Sequence, residues 1–474
     1  MTITRRKFVS GATGVAASIA LVGCGREVET ADVIVIGAGI SGLHTARLLE
    51  KAGASVVVLE GTSRVGGRIE TLFDKPGSPE IGAADVGTIY NRVLNAADEL
   101  GLEVEQWPSM TPSYWYHFNG MGFTAKQWPD IAVNDLKGKL RKVAPSGMST
   151  HFLPRPLPLP TIDSWLDEEY SNLDIPYGRY LSDQGAPAEA LKYALTGWQF
   201  DSLDEVSALW QLRMMKWSMF GMEKAFETGT PLRYFMKGGM SRLTDAMAAS
   251  LASEVRRDHW VESIEQDRDS VTVRCRNGSK VRGRYVISTV PLTILRNITI
   301  EPGLPPLLDE AVNSIPYGMG TSILLHIDKP YWEADGLPPN FWTDLPIEVA
   351  FVNPSPVGGA DHLWVFTTGK TDLSRTDMTE DEIVQFTIKE LNRVRPSTVG
   401  ALEPLAFRSW TRDPFTLGTY ASRGPGQPQR FAGVFNEPVG RLVVAGEHAC
   451  VRHVGLEGAM ESAEISVGTV AAKL

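Results

Sequence analysis

The chain has 474 residues, 43% of them hydrophobic and 22% charged, with a formal net charge of −10 at pH 7. That composition supports one large buried core or two smaller ones and excludes a chain that is disordered throughout. Nucleic acid and anionic lipid surfaces call for a basic face, so the acidic balance argues against both and weakly favours cationic ligands.

The first 24 residues read as a targeting segment to be set aside from the fold (1–24). Thr4, Arg5, Arg6, Lys7 and Phe8 precede a small, apolar stretch from Gly11 to Gly23, shorter than the about 20 apolar residues that a membrane-spanning helix needs. Arg5 and Arg6 before Phe8 are similar to a twin-arginine export signal, and Leu21-Val22-Gly23-Cys24 is similar to a lipoprotein signal box. The resemblance implies export to the periplasm or cell envelope, with a lipid on Cys24 as the membrane attachment. An ordinary signal peptide with an incidental cysteine is the alternative. Cys275 and Cys450 lie far apart in sequence and read as two buried, unpaired thiols. No Cys or His spacing suits a metal, so no metal is expected.

Val33-Ile34-Val35-Ile36 is a continuous β-branched run, the mark of a strand buried on both faces. Gly37-Ala38-Gly39-Ile40-Ser41-Gly42 follows at once, then Leu43, Ala46 and Leu49 at helical spacing, then a second apolar strand from Ala54 to Leu59 that closes on Glu60. A lone G-x-G-x-x-G is weak evidence, but here strand, helix and acid stand where dinucleotide binding requires them. Gly37 permits the turn, Gly39 admits a pyrophosphate, Gly42 lets the helix pack on the strand, and the helix start at Ile40 and Ser41 offers N–H groups to phosphate. Glu60 is placed to accept from ribose hydroxyls. Further on, Pro154 to Pro160 reads as a stiff connector, and Ile162 to Phe235 as helical and rich in aromatics. Val255 to Pro302 alternates as strands do, Leu442 to Ala445 is another buried strand, and a last helix runs from about Leu456 to Lys473.

Directly after Glu60, Gly61-Thr62-Ser63-Arg64-Val65-Gly66-Gly67-Arg68 resembles the second fingerprint of the flavin amine oxidase family. Glu80 to Gly87, with Gly82, Ala83, Ala84 and Asp85, is similar to that family's next cofactor-edge loop, and Gly238-Gly239-Met240 to the segment that re-enters its cofactor domain. Trp410, Asp413, Pro414, Phe415, Gly418 and Tyr420 match its W-x-x-D-P-[FY]-x-x-G-x-Y run, Gly446-Glu447 its A-G-E turn, and Gly455-Leu456-Glu457-Gly458 the turn before its last helix. The resemblance covers nearly all of the chain beyond the targeting segment. It implies FAD, with Arg68 reaching the phosphates, the Val261 backbone holding adenine, and the last helix stabilising charge near the flavin N1. It implies an α/β fold of amine oxidase type. A discontinuous Rossmann-like FAD-binding domain would comprise 31–105, 238–320 and 402–474, and a mixed α+β substrate domain 106–237 and 321–401.

The chain departs from the family pattern in several places. Thr419 stands where some members tether FAD through cysteine, so non-covalent FAD is expected. Ser322 stands where many carry a lysine linked to oxygen reactivity, so a cytochrome or quinone competes with oxygen as acceptor. Tyr420 supplies one ring of the pair that flanks the substrate amine, while the partner position near Gly455 and Leu456 has none. Asp85 stands where others carry an aromatic or a carboxylate-clamping arginine; it either attracts a second substrate cation or caps a turn or contacts FAD. His448 and His453 are polar groups near the expected flavin. The expected reaction is hydride transfer from an amine-bearing carbon to FAD, with Tyr420, Trp410, Ser322 and Asp85 around the substrate. The alternatives are a flavin desaturase or oxidase of a non-amine, or an FAD-stabilised binding lipoprotein without turnover. The oligomeric state is not legible.

Overall fold

In the computed structural model, which describes residues 29–107, 113–353, 355–357 and 362–474, the strand Glu29–Ile36 lies one in from an edge of the first sheet. The targeting segment, with Arg5, Arg6 and Cys24, lies outside the described residues. Alternate side chains of this strand feed two cores. Val33 and Val35 pack with Leu43, Ala46 and Leu49 of the helix Ile40–Lys51, and Ile34 and Ile36 pack with Ile264, Val273 and Leu442. With both faces covered, no position on the run tolerates a polar side chain, hence its unbroken β-branched character. Val56–Leu59 and Lys280–Ser288 flank it in parallel, and Leu442–Val444 pairs in parallel beyond. Val261–Gln266 and Val271–Cys275 form an antiparallel meander into Lys280–Ser288, and Thr299–Glu301 completes seven strands. The carboxyl ends of the four parallel strands open on one edge, where doubly wound sheets hold their ligands.

The second sheet also has seven strands, in the order Leu402–Ser409, Gly320–Ile327, His362–Thr368, Val349–Asn353, Asn340–Thr343, Tyr114–Phe118, Met121–Thr124. The return to the first domain expected at residue 402 comes later. Leu402–Ser409 is an edge strand here, antiparallel to Gly320–Ile327, because Leu402 and Phe407 pack into this sheet's own core. The chain rejoins the first sheet only at Leu442–Val444. Between the sheet segments, Trp165, Tyr177, Phe200 and Trp210 fill a helical core. The architecture is thus α/β: a Rossmann-like domain built from separated segments, with a mixed α+β second domain.

Candidate active site

One cavity of about 510 Å³ runs from the first sheet's carboxyl edge to the second sheet. At its nucleotide end the turn Gly37–Gly42 is closed by sterics. A Cβ at Gly42 would lie 1.9 Å from the Gly37 carbonyl oxygen, so only glycine lets this helix start where it does. Glu60 is buried and already engaged: Oε2 accepts from the Ala38 N–H at 2.7 Å, and Oε1 from the N–H and Oγ1 of Thr62 at 2.8 and 2.9 Å. Glu60 therefore braces the glycine turn from below as well as facing the cavity. The second fingerprint folds over the first, with the Gly66 N–H donating to the Ala38 carbonyl at 2.8 Å. Arg64 holds this loop by donating to the Gly67 carbonyl at 2.7 Å, and its guanidinium pairs with Glu70 at 3.0 Å. Trp260 and Phe415, 4.5 Å apart, wall the nucleotide end beside Val261.

Gly82, Ala83, Asp85, Ser322, Trp410, Tyr420, Gly446, Glu447, Gly455 and Leu456 line the same cavity, as do Gly61 and Arg68. Ser322 sits on the cavity-facing side of Gly320–Ile327, opposite Phe366 on one neighbouring strand and Arg408 on the other. Phe351 and Trp364, 5.7 Å apart, continue the aromatic wall. Asp413 pairs with Arg408 at 3.3 Å, and Arg408 with Glu70 at 2.6 Å, a ladder beneath the Trp410 ring.

Several expected roles are corrected. Glu457 does not face the cavity. It is fully buried, pairs with Arg92 at 3.0 Å, and accepts from the N–H groups of Arg92 and Val93 at the start of the helix Asn91–Glu99. Ala84 turns the other way, into a small cluster with Ile81, Leu324 and Trp364. Gly42 packs under the turn and contributes no lining. Asp85 is not a free carboxylate, because Arg233 binds its Oδ2, which offsets the charge expected to attract a second cation. Arg68 donates to the Thr419 carbonyl and lies 3.6 Å from Glu447, tying three segments together. His448 is buried against Phe435 away from the cavity, and burial holds it well below the usual histidine range. His453 packs edge-on to Trp217 and pairs with Glu461 at 3.1 Å.

Sequence reasoning missed Tyr90, Phe351, Trp364, Phe366, Trp260 and Arg64 as lining. A signal existed for Trp364 and Phe366, which alternate in His362–Thr368; none existed for Tyr90, whose place depends on a contact across the fold. The cavity suits FAD on the structure's own terms. Its glycine turns admit close approach, and the buried hydroxyls of Ser41, Ser322 and Thr419, with the Trp364 indole N–H, have no protein partner. Tyr420 is 39% exposed, on the cavity, where desolvation by the surrounding wall pushes its phenol up. Among the described residues, every carboxylate on the lining has a protein partner: Glu60 with Ala38 and Thr62, Asp85 with Arg233, Asp413 with Arg408, Glu447 with Arg68.

Residues 40–471 match the model of the flavin containing amine oxidoreductase family. Among curated proteins, the chain is 29% identical over 450 residues to the flavin-containing amine oxidase of Danio rerio, covering 91% of this chain and 84% of that one. It is 27% identical over 460 residues to flavin-containing amine oxidase B of Homo sapiens, covering 91% and 84%. Two solved structures share its fold. One is cyclohexylamine oxidase from Brevibacterium oxydans, with TM-score 0.76 and 20% identity over 94% of this chain and 99% of that one. The other is putrescine oxidase bound to putrescine, with TM-score 0.73 and 21% identity over 94% and 99%. With the glycine turns, the braced Glu60 and the Trp410 to Tyr420 run facing one cavity, the chain belongs to the flavin-containing amine oxidoreductases, enzymes that oxidise amines with FAD.

Proposed function

We propose that this enzyme binds FAD without a covalent tether and oxidises a monoamine with an apolar body, passing the electrons on to an acceptor other than oxygen. When bound, FAD accepts the hydride from the amine-bearing carbon. The observation that carries the reading is the cavity lining shared with Ser322: Phe351, Trp364, Phe366 and Tyr420 lie on it, and among the described residues every lining carboxylate has a protein partner. Such a surface desolvates an ammonium at high cost and takes the neutral amine instead, so no side chain has to act as general base. Tyr420 and the aromatic strand residues exclude water and orient the amine-bearing carbon. The Ser322 hydroxyl, fully buried and without a protein partner, is free to hold a water or a polar cofactor atom, but it supplies no cation to favour oxygen reduction.

No cysteine lines the cavity among the described residues, and Cys275 and Cys450 are free and buried elsewhere. Thr419 faces the cavity in the tether position, so acid precipitation of the holoenzyme should leave yellow FAD in the supernatant. The deciding experiment is an anaerobic panel of an arylalkyl monoamine, putrescine and an amino acid, read by bleaching of the flavin absorbance. The monoamine should reduce the flavin fastest; putrescine winning would restore the diamine reading, and no bleaching by any amine would refute both. We further propose export by the twin-arginine route with a lipid on Cys24, motivated by Arg5, Arg6 and the Leu21 to Cys24 box. Among the described residues no helix is long and apolar enough to cross a membrane. Cell fractionation of the full chain against Cys24→Ala tests the anchor: loss from the membrane fraction supports it, and unchanged retention rejects it.

A further inference from the structure

We infer that Tyr90 is the second ring of the amine site, reaching from the turn before the helix Asn91–Glu99 into the space where Gly455 presents no side chain. The inference rests on the amine-oxidising reading above. Gly455 opens the last helix with φ +56, and a Cβ there would lie 3.3 Å from the Tyr90 hydroxyl. Tyr90, Gly455 and Tyr420 all line the one cavity.

The ring of Tyr90 is held on three sides. A Cβ at Gly87 would meet its Cδ2 and Cε2 at 3.3 Å, so that glycine gives the ring its bed. The Tyr90 N–H closes the turn onto the Gly87 carbonyl at 3.0 Å. Trp217 packs against it in an edge contact, with centroids 6.3 Å apart and planes at 62°. Trp217 is itself fixed edge-on to His453, which pairs with Glu461.

Glu457 completes the device. From the first turn of the last helix it accepts the N–H groups of Arg92 at 3.0 Å and Val93 at 3.3 Å and pairs with the Arg92 guanidinium. It therefore locks the helix that Tyr90 precedes onto the helix that Gly455 opens. The missing ring at the last helix and the Glu457 carboxylate turned away from the cavity have one explanation: the ring is supplied by Tyr90 and the carboxylate fastens it. A ring wedged between two glycines and an indole loses little freedom when substrate arrives, which suits a wall that must orient a small amine.

The test uses the FAD-loaded enzyme and its Tyr90→Phe and Tyr90→Leu variants. The first readout is the dissociation constant of 2-phenylpropan-2-amine, measured by calorimetry; this amine has no hydrogen on its amine-bearing carbon and so binds without reacting. The second is the limiting rate of anaerobic flavin reduction by a reactive monoamine, with flavin content as a check on folding. Tyr90→Phe should stay within about twofold of the unaltered enzyme in both, since the ring is kept. Tyr90→Leu should hold full flavin yet bind the unreactive amine about 3- to 10-fold more weakly, the worth of an aromatic contact, and its limiting reduction rate should fall as well. Tyr90→Met serves for the same comparison if the leucine variant loses flavin. An unchanged dissociation constant in a flavin-replete Leu or Met variant overturns the role of Tyr90 alone. Failure of the unaltered enzyme both to bind the amine and to be reduced overturns the amine reading, and this inference with it.

Discussion

Glu60→Ala removes a carboxylate whose two oxygens hold two loops at once. The Ala38 N–H inside the glycine turn loses its acceptor at 2.7 Å, and the Thr62 N–H loses its own at 2.8 Å. Glu60 is only 8% exposed, so water replaces these acceptors incompletely. A hydrogen bond to a charged group contributes about 1.5–3 kcal/mol. Two main-chain bonds lost together, with some water entering the space, predict an apoprotein destabilised by about 2–4 kcal/mol. FAD affinity should fall in step as the turn loosens, about tenfold for each 1.4 kcal/mol. Glu60→Gln keeps one acceptor for Ala38 but presents its amide to Thr62, so its losses should be intermediate. Denaturant unfolding of the apoproteins, followed by tryptophan fluorescence, measures the first quantity, and titration with FAD the second. If the alanine variant loses FAD affinity while its apoprotein unfolds at the unaltered midpoint, Glu60 acts on the nucleotide alone and the bracing argument is wrong.

Ser322→Lys should raise the rate at which oxygen reoxidises the reduced enzyme by up to about a hundredfold, since it adds a cation at a buried cavity wall; equal rates in stopped-flow would refute the acceptor argument. Glu80, buried where Met240 and Thr71 donate to it, is pushed up to about 8 by desolvation. Its pKa is raised on folding, so the stability it contributes is present below the unfolded value near 4.5 and is lost as pH rises to about 8. Relative to wild type, Glu80→Gln should therefore gain stability between pH 5 and 8 and show no gain below pH 4, read by unfolding at each pH. On the proposed neutral-amine reading, the apparent dissociation constant of the unreactive amine should improve by about tenfold per pH unit on rising toward the amine's own pKa; a flat profile would show that the ammonium binds.

The nucleotide half was legible because its demands are local. Strand, glycine turn, helix and acid follow one another within one unit, and each residue type answers a steric or charge requirement that is met by near neighbours in sequence. Thus Gly37, Gly39, Glu60 and Gly61 all line the cavity. The substrate half depends on distant pairings. Nothing near Asp85 in sequence announces Arg233, and nothing near Glu457 announces Arg92, yet those pairs decide what each carboxylate can do. Tyr90 was invisible for the same reason, since its place on the cavity beside Gly455 joins positions far apart in the chain. The boundary at 402 failed because Leu402–Ser409 carries apolar residues that either sheet could bury, and only pairing with Gly320–Ile327 settles which sheet takes them.

These pairings share a cause with a consequence for chemistry. A carboxylate at a water-poor surface must find a cation or several N–H donors, and the long, multiply donating arginine side chain meets that need across large sequence separations. Here Arg233 answers Asp85, Arg408 answers Glu70 and Asp413, Arg92 answers Glu457, and Arg68 approaches Glu447. Among the described residues, the cavity wall combines rings and hydroxyls with charged groups whose carboxylates are each engaged by a protein partner. On the proposed reading, an amine that enters such a space sheds its proton to solvent on the way in, because every lining carboxylate among the described residues is already engaged. Its nitrogen lone pair is then available to stabilise the carbon that gives up hydride. On that reading, the charge pairing that engages Asp85 and Glu457 elsewhere is what suits the cavity to a neutral amine.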